Sequence, residues 1–216
     1  MLSFGVIFDM DGVLVDSYAA HLASWKRLAA ELGAAITEDQ FSATFGRTSR
    51  EIIRQLFDVT DRETVARYDT RKEALYRDII RGRVPVMAGA IELVTTLHQA
   101  GLRLAVGSSG PPENIALVCE ECVLDSMLAG RVSGADVTQG KPDPEVFLLA
   151  AERIGVAPER CVVIEDAPAG VEAAIRAGMR CIALAGTVES KRLGQADLVV
   201  TRLDEIEAAT IRNLFV

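Results

Sequence analysis

The apolar positions of this 216-residue chain follow two different periods. Phe4-Gly5-Val6-Ile7-Phe8 is a short unbroken run that breaks off into Asp9-Met10-Asp11-Gly12. Such a run reads as a strand buried on both faces. From Tyr18 to about Gly82 no strand-like run occurs, and the spacing is helical. Leu22, Trp25, Leu28, Ala29 and Leu32 predict a helix over Tyr18 to Leu32, with Gly33 as its stop. Thr37-x-x-Gln40 and Thr48-x-x-Glu51 read as capping boxes that open short helices. Asp61 is placed to cap a longer helix running to about Arg81, with Val65, Tyr68, Lys72, Leu75, Tyr76 and Ile79 along it. Residues 17–82 are therefore expected to form an all-helical module of some four helices. Its entry at Val15-Asp16-Ser17 and its exit at Arg83-Val84-Pro85 suggest a hinged lid.

Beyond Pro85 the chain alternates. Strands are predicted at Leu102 to Val106, Arg131 to Ser133, Cys161 to Ile164, Cys181 to Leu184 and Leu198 to Val200. Helices are predicted between them over Gly89 to Ala100, Pro112 to Leu124, Pro144 to Ile154 (with Asp143 as cap) and Pro168 to Ala177, before a closing helix. Strands separated by helices in this way indicate right-handed βαβ units. The expectation is an α/β fold, a Rossmann-like parallel sheet built from residues 1–16 and 83–216, with the helical module inserted. Ligands of such sheets bind outside the carboxyl ends of the strands, so the residues just past each strand are the ones to inspect.

Charge and cysteine usage narrow the function classes. A net charge of −8 without a Lys/Arg block argues against nucleic acid or an anionic membrane as partner. There is no apolar run long enough to span a bilayer. Met1 leads into a strand without a basic and apolar leader, which sets a cytoplasmic location as the expectation. Cys119 and Cys122 form a single C-x-x-C pair on a predicted helix, while Cys161 and Cys181 each open a strand. No second pair accompanies them, so free thiols are expected rather than a zinc or redox site.

Four strand ends carry candidate chemistry. Alternation along an extended chain points Asp9 and Asp11 the same way. Two like charges so close call for a divalent cation or a retained proton, unless the stretch is simply an acidic surface turn. Gly12 allows the sharp turn that follows. Gly107-Ser108-Ser109 puts a hydroxyl at a helix start, where it serves as a phosphate-oxygen clamp or an ordinary N-cap. Lys141, in Gln139-Gly140-Lys141-Pro142-Asp143-Pro144, brings one positive charge on a flexible stem, although an isolated lysine would face solvent. Glu165-Asp166 follows a buried strand directly, and its carboxylates suit a hard six-coordinate Mg²⁺ or the cap of the next helix.

In order, Asp9-Met10-Asp11-Gly12-Val13-Leu14-Val15-Asp16-Ser17, Ser108, Lys141-Pro142 and Glu165-Asp166 resemble the four motifs of the haloacid dehalogenase superfamily. The resemblance covers essentially the whole chain. It is nearest to the β-phosphoglucomutase and phosphoglycolate-phosphatase-like branch. It implies a Rossmann-like core with a helical cap inserted after the first motif. It also implies phosphoryl transfer through an aspartyl-phosphate, with Asp9 as nucleophile and Asp11 as general acid and base. Mg²⁺ is expected on Asp9, the Asp11 carbonyl, Asp166 and Glu165, the last as ligand or support. Ser108 and Lys141 are expected to hold phosphoryl oxygens, with Ser109 beside them. The sequence alone reads Trp25 as core and His21 as a helix-surface residue. The resemblance instead makes His21, Trp25, Arg50 and Lys72 substrate-binding, two cations suited to an anionic sugar phosphate. One departure stands out. The mutases carry a Lys-Asn pair in the loop after the strand-end serine, whereas this chain has Ser109-Gly110-Pro111-Pro112-Glu113-Asn114. That favours hydrolysis of a small phosphorylated metabolite, a sugar phosphate or phosphoglycolate, over mutase action on β-glucose 1-phosphate. The chain is expected to act as a monomer or weak homodimer. A phospho-aspartate switch would place its acceptor on a middle strand and lack the insert, and a dehalogenase normally lacks the second Asp.

Overall fold

The computed structural model describes residues 3–44, 48–186 and 188–216. Its sheet holds β1 (Gly5–Phe8), β2 (Arg103–Gly107), β3 (Leu128–Val132), β4 (Cys161–Glu165), β5 (Arg180–Leu184) and β6 (Leu198–Val200). The spatial order is β3-β2-β1-β4-β5-β6, and every neighbouring pair is parallel. All four residues of β1 are buried, as an unbroken apolar run in a central strand requires. One layer of the core joins Ile7, Ala105, Val163 and Ala183 of the sheet to Phe147, Ala150 and Ile154 of a covering helix.

Register decides what meets at the rim. Phe8 lies opposite Val106 on one side and Ile164 on the other, so Asp9, Gly107 and Glu165 emerge at one level. The Asp9 amide donates to the Ile164 carbonyl at 2.9 Å, which extends the ladder one residue beyond β1.

Two elements differ from the sequence expectation. β3 starts at Leu128 rather than Arg131, because this edge strand is mostly half-exposed and its apolar signal is weak. The helix after β2, α6 (Pro112–Glu121), ends before Leu124. There Val123 turns into the left-handed region at φ 56°. The turn buries Leu124, whose amide donates back to the Cys119 carbonyl at 2.9 Å. Core burial has overridden helix continuation.

The backbone divides into two compact units, the residues up to Asp16 with Val84–Val216, and Ser17–Arg83. The second contains α1 (Tyr18–Glu31), α2 (Glu38–Ser42), α3 (Ser49–Phe57) and α4 (Arg62–Ile80). Both expected capping boxes form, at Thr37/Gln40 and Thr48/Glu51, and Asp61 caps α4 through the Thr64 amide. Gly46 and Arg47, which precede Arg50 in the predicted substrate segment, lie outside the described residues. The first unit adds α5 (Ala90–Gln99), α6, α7 (Glu145–Ile154), α8 (Pro168–Arg176) and α9 (Ala208–Asn213).

No helix among the described residues is long and apolar enough to cross a membrane. The four cysteines are free thiols. Burial pushes the Cys119 thiol up to about 11 and that of Cys161 up to about 12, far from the range of a reactive thiolate.

Candidate active site

Lys141 draws the rim together. Its Nζ donates to Asp9 Oδ1 at 2.6 Å and to Glu165 Oε1 at 2.8 Å, and lies 4.7 Å from the centre of the Phe147 ring. The lysine is therefore buried among carboxylates and a ring, not facing solvent as an isolated lysine would. Burial alone would lower its pKa, but Asp9 and Glu165 together raise it, so the side chain stays a cation. Asp9 feels the opposite forces. Burial pushes its carboxyl well above the usual range, Lys141 pulls it down, and Glu165, Asp166 and Asp11 push it up again.

Glu165 is held from two sides. One oxygen takes Lys141, and the other accepts the amides of Asp166 and Ala167, each at 2.7 Å, just ahead of α8. Gly170, on the first turn of α8, is needed for this, since a Cβ there would overlap the Glu165 carboxylate.

The remaining rim residues are set by tight turns. After Asp11 the chain folds back through Gly12, whose amide donates to the Val15 carbonyl at 2.8 Å. Gly12 has φ +83°, and a Cβ there would run into Asp166 Oδ2. Ser108 is buried, and its Oγ accepts the Gly110 amide at 3.0 Å, leaving the hydroxyl proton to donate elsewhere. A Cβ on Gly110 would stand 3.3 Å from Ser108 Oγ and 4.0 Å from Asp11 Oδ2, so this loop lies against the second aspartate. Ser109 is exposed. Asp9, Asp11, Ser108, Lys141, Glu165 and Asp166 thus converge on the carboxyl end of one parallel sheet.

The sequence profile of the haloacid dehalogenase-like hydrolases matches residues 6–184. The chain belongs to this family. It is an enzyme of the phosphoric monoester hydrolase class. Hexitol phosphatase A of Escherichia coli (strain K12) is 32% identical to it over 94% of this chain and 92% of that protein. A beta-phosphoglucomutase of Bacillus subtilis (strain 168) is 27% identical over 93% of this chain and 90% of its own. Among solved structures, a family IA, variant 3 member of these hydrolases from Entamoeba histolytica superposes with a TM-score of 0.89. It has 25% identity and covers 100% of this chain and 99% of that one.

Family members use Mg²⁺, and the donor chemistry here can be tested against it. Among the described residues no three His, Cys, Asp or Glu side chains form a ready cluster for a metal. Mg²⁺ does not need one, because it is held by one or two carboxylates and keeps several waters. Asp9 and Asp166 would supply such carboxylates, and the Asp11 carbonyl a third hard oxygen. Four carboxyl groups share this rim with one lysine, a surplus of negative charge that a divalent cation would offset. The set fits. Glu165, expected as ligand or support, accepts Lys141 on one oxygen and the Asp166 and Ala167 amides on the other.

Within the helical unit the predicted substrate residues occupy two places. Lys72 is buried, with Nζ 2.8 Å from His21 Nδ1 and 2.8 Å from Glu73 Oε1. It lies 5.3 Å over the Trp25 ring and 5.5 Å over the Tyr76 ring, and His21 stacks on Tyr76 at 4.2 Å. Trp25 stands in the hydrophobic core of this unit with Leu28, Ile53 and Val65, so its work there is packing and support of Lys72. Arg50 is exposed and pairs with Asp69 at 3.4 Å. Sequence reasoning missed both acids and the need for Gly170. Glu73 was legible as the neighbour of Lys72, whereas the Asp69 pairing has no short-range signature.

Gly12→Ala separates positioning from folding. The positive φ should cost about 1–2 kcal/mol of stability, read by urea denaturation. Displacement of Asp166 should cost far more in turnover, read by phosphate release.

Proposed function

We propose that the chain is a Mg²⁺-dependent phosphatase that hydrolyses a small phosphorylated metabolite, a sugar phosphate or phosphoglycolate, through a phosphorylated Asp9. The observation that carries this reading is the buried Lys141 bonded to both Asp9 and Glu165 at the strand ends. Phosphoryl transfer asks chiefly for alignment and charge neutralisation. An Asp9 oxygen attacks phosphorus, and the bond from phosphorus to the ester oxygen breaks as Asp11 gives that oxygen a proton. Asp11 then takes a proton from water as the water oxygen attacks the phosphorus on Asp9, releasing phosphate and restoring the carboxylate. Ser108 donates its hydroxyl to a phosphoryl oxygen, and Lys141 balances the charge on Asp9. Bound Mg²⁺, held by Asp9, Asp166 and the Asp11 carbonyl, would supply positive charge to the phosphoryl oxygens. Glu165 keeps Lys141 in place. The helical unit, with His21, Arg50 and Lys72, takes part in choosing the substrate.

The second reading, a β-phosphoglucomutase, draws on the likeness to the B. subtilis enzyme. Against it stands Ser109-Gly110-Pro111-Pro112-Glu113-Asn114, a loop without a lysine to hold a second phosphate. A screen of phosphorylated metabolites for released phosphate, with and without glucose 1,6-bisphosphate, separates the two. Hydrolysis without the bisphosphate is expected. Glucose 6-phosphate formed from β-glucose 1-phosphate only in its presence would establish the mutase. Removal of divalent ions with EDTA should lower phosphate release at least about 100-fold, and added Mg²⁺ should restore it.

A further inference from the structure

We infer that Glu145 is a positioning residue for Lys141: it ties together the two limbs of the loop that carries the lysine, so that the ammonium keeps its place while Asp9 changes charge. This rests on the phosphatase reading above and adds to it the part that holds the lysine.

The loop takes little of its shape from packing. It leaves the core after Val137, which packs against the buried layer around Phe147, and returns at Val146. Between them Thr138, Gln139 and Gly140 are exposed, and Lys141 reaches the site on a flexible stem. A solvated stretch of this kind is fixed chiefly by its hydrogen bonds.

Glu145 gathers those bonds. Its Oε2 accepts the Thr138 amide at 2.8 Å, the Thr138 hydroxyl at 2.8 Å and the Gln139 amide at 3.0 Å. On the other limb the Glu145 amide donates to Asp143 Oδ1 at 3.0 Å, and the Asp143 amide donates to the Gly140 carbonyl at 3.0 Å. Lys141 lies inside the turn that these bonds close. A glutamate in the first turn of a helix ordinarily serves the helix itself. Here Pro144, at the N-cap of α7, makes no side-chain cap, and the donors on Glu145 Oε2 belong to the incoming loop. They also hold the Glu145 carboxyl below its usual range, so it is ionised at neutral pH. Glu145 opens α7, and Phe147 of the same helix sets its ring 4.7 Å from Lys141 Nζ. One helix thus fixes both the loop and the ring beside the ammonium.

The need for this is chemical. In the resting site Nζ is gripped by Asp9 at 2.6 Å and by Glu165 at 2.8 Å. Once Asp9 is bonded to phosphorus its own carboxylate charge is gone, and the grip on that side weakens. Glu165 and the loop then keep the ammonium in place for the attack of water.

A double-mutant cycle with Lys141→Met, read as kcat for p-nitrophenyl phosphate with Mg²⁺, tests the link in the full-length enzyme. Glu145→Ala should lower kcat at least about tenfold, the scale of a misplaced catalytic group, and change KM less than about threefold. Glu145→Gln retains an oxygen for the same donors and should keep kcat within about threefold of native. In the Lys141→Met background Glu145→Ala should cost less than about twofold, because the group it positions is gone. A loss of equal size in both backgrounds overturns the inference, since Glu145 would then act through the fold or through another residue. So does a native kcat in Glu145→Ala, or a loss in Glu145→Gln as large as that in Glu145→Ala. Should Glu145→Ala fail to fold, Thr138→Val removes one donor and runs the same cycle. It should lower kcat at least about threefold with Lys141 present and not without it. If the native enzyme hydrolyses the ester and the cycle is additive, only this inference falls. If it hydrolyses no ester, the phosphatase reading falls and takes this inference with it.

Discussion

Asp9→Asn is expected to lower phosphate release by about 10⁴-fold or more while leaving the fold intact, the scale on which loss of a nucleophile removes turnover. The amide has the size of the carboxylate and can still accept from Lys141, which keeps its second partner, Glu165, at 2.8 Å. It cannot form the acyl-phosphate bond. Burial and three neighbouring carboxyl groups already disfavour charge at this position. The variant should therefore unfold at the same urea concentration as the native protein, or a slightly higher one. Intact-mass measurement after a substrate pulse and acid quench adds a second readout. The native chain should gain the mass of one phosphoryl group, and the variant should not. Retention of a tenth of the native rate in Asp9→Asn would exclude this residue as the nucleophile.

Short-range pattern made much of the fold legible. The run Val6-Ile7-Phe8 can be buried on both sides only in a central strand, and it pairs with β2 and β4. The capping boxes at Thr37 and Thr48 depend on residues three apart, so the sequence carries them whole. What was not legible depends on long-range partners. Leu124 stops α6 early because the core claims it, and nothing local to Glu121 signals that. The candidate site divides along the same line. Motif spacing places Asp9, Asp11, Ser108, Lys141, Glu165 and Asp166 at strand ends. The preference of Glu165 for Lys141 and two amides appears only once β1 and β4 lie side by side. In the helical unit, Arg50 and Lys72 looked like cations available to a substrate. Burial of Lys72 demanded a counter-charge, and Glu73 meets that demand.

Lys141→Met tests whether the lysine joins stability to chemistry. Methionine fills the same space beside Phe147 but leaves the buried carboxyls of Asp9 and Glu165 facing each other with nothing between them. Breaking one side of a buried ion pair costs about 3–5 kcal/mol, which should appear as a lower urea midpoint with an unchanged slope. The cost has a pH sign. The pKa of Lys141 is raised in the folded protein, so its contribution is full below about 10.4, its ordinary value, and lost only as pH rises through the higher folded one. The lysine's own contribution is therefore constant across neutral and mildly alkaline pH, but in the variant Asp9 is no longer pulled down by Lys141, so the gap in stability should narrow as pH falls and Asp9 takes up a proton. Turnover should fall about 10²–10³-fold, the scale seen when one preorganised charge is withdrawn from a transition state. Glu165→Gln gives the contrast. It leaves the bond from Lys141 to Asp9 standing at 2.6 Å, so it should lose less in rate than Lys141→Met. If instead Glu165→Gln loses as much rate, the glutamate acts on substrate or metal directly, and its role is not to steady the lysine.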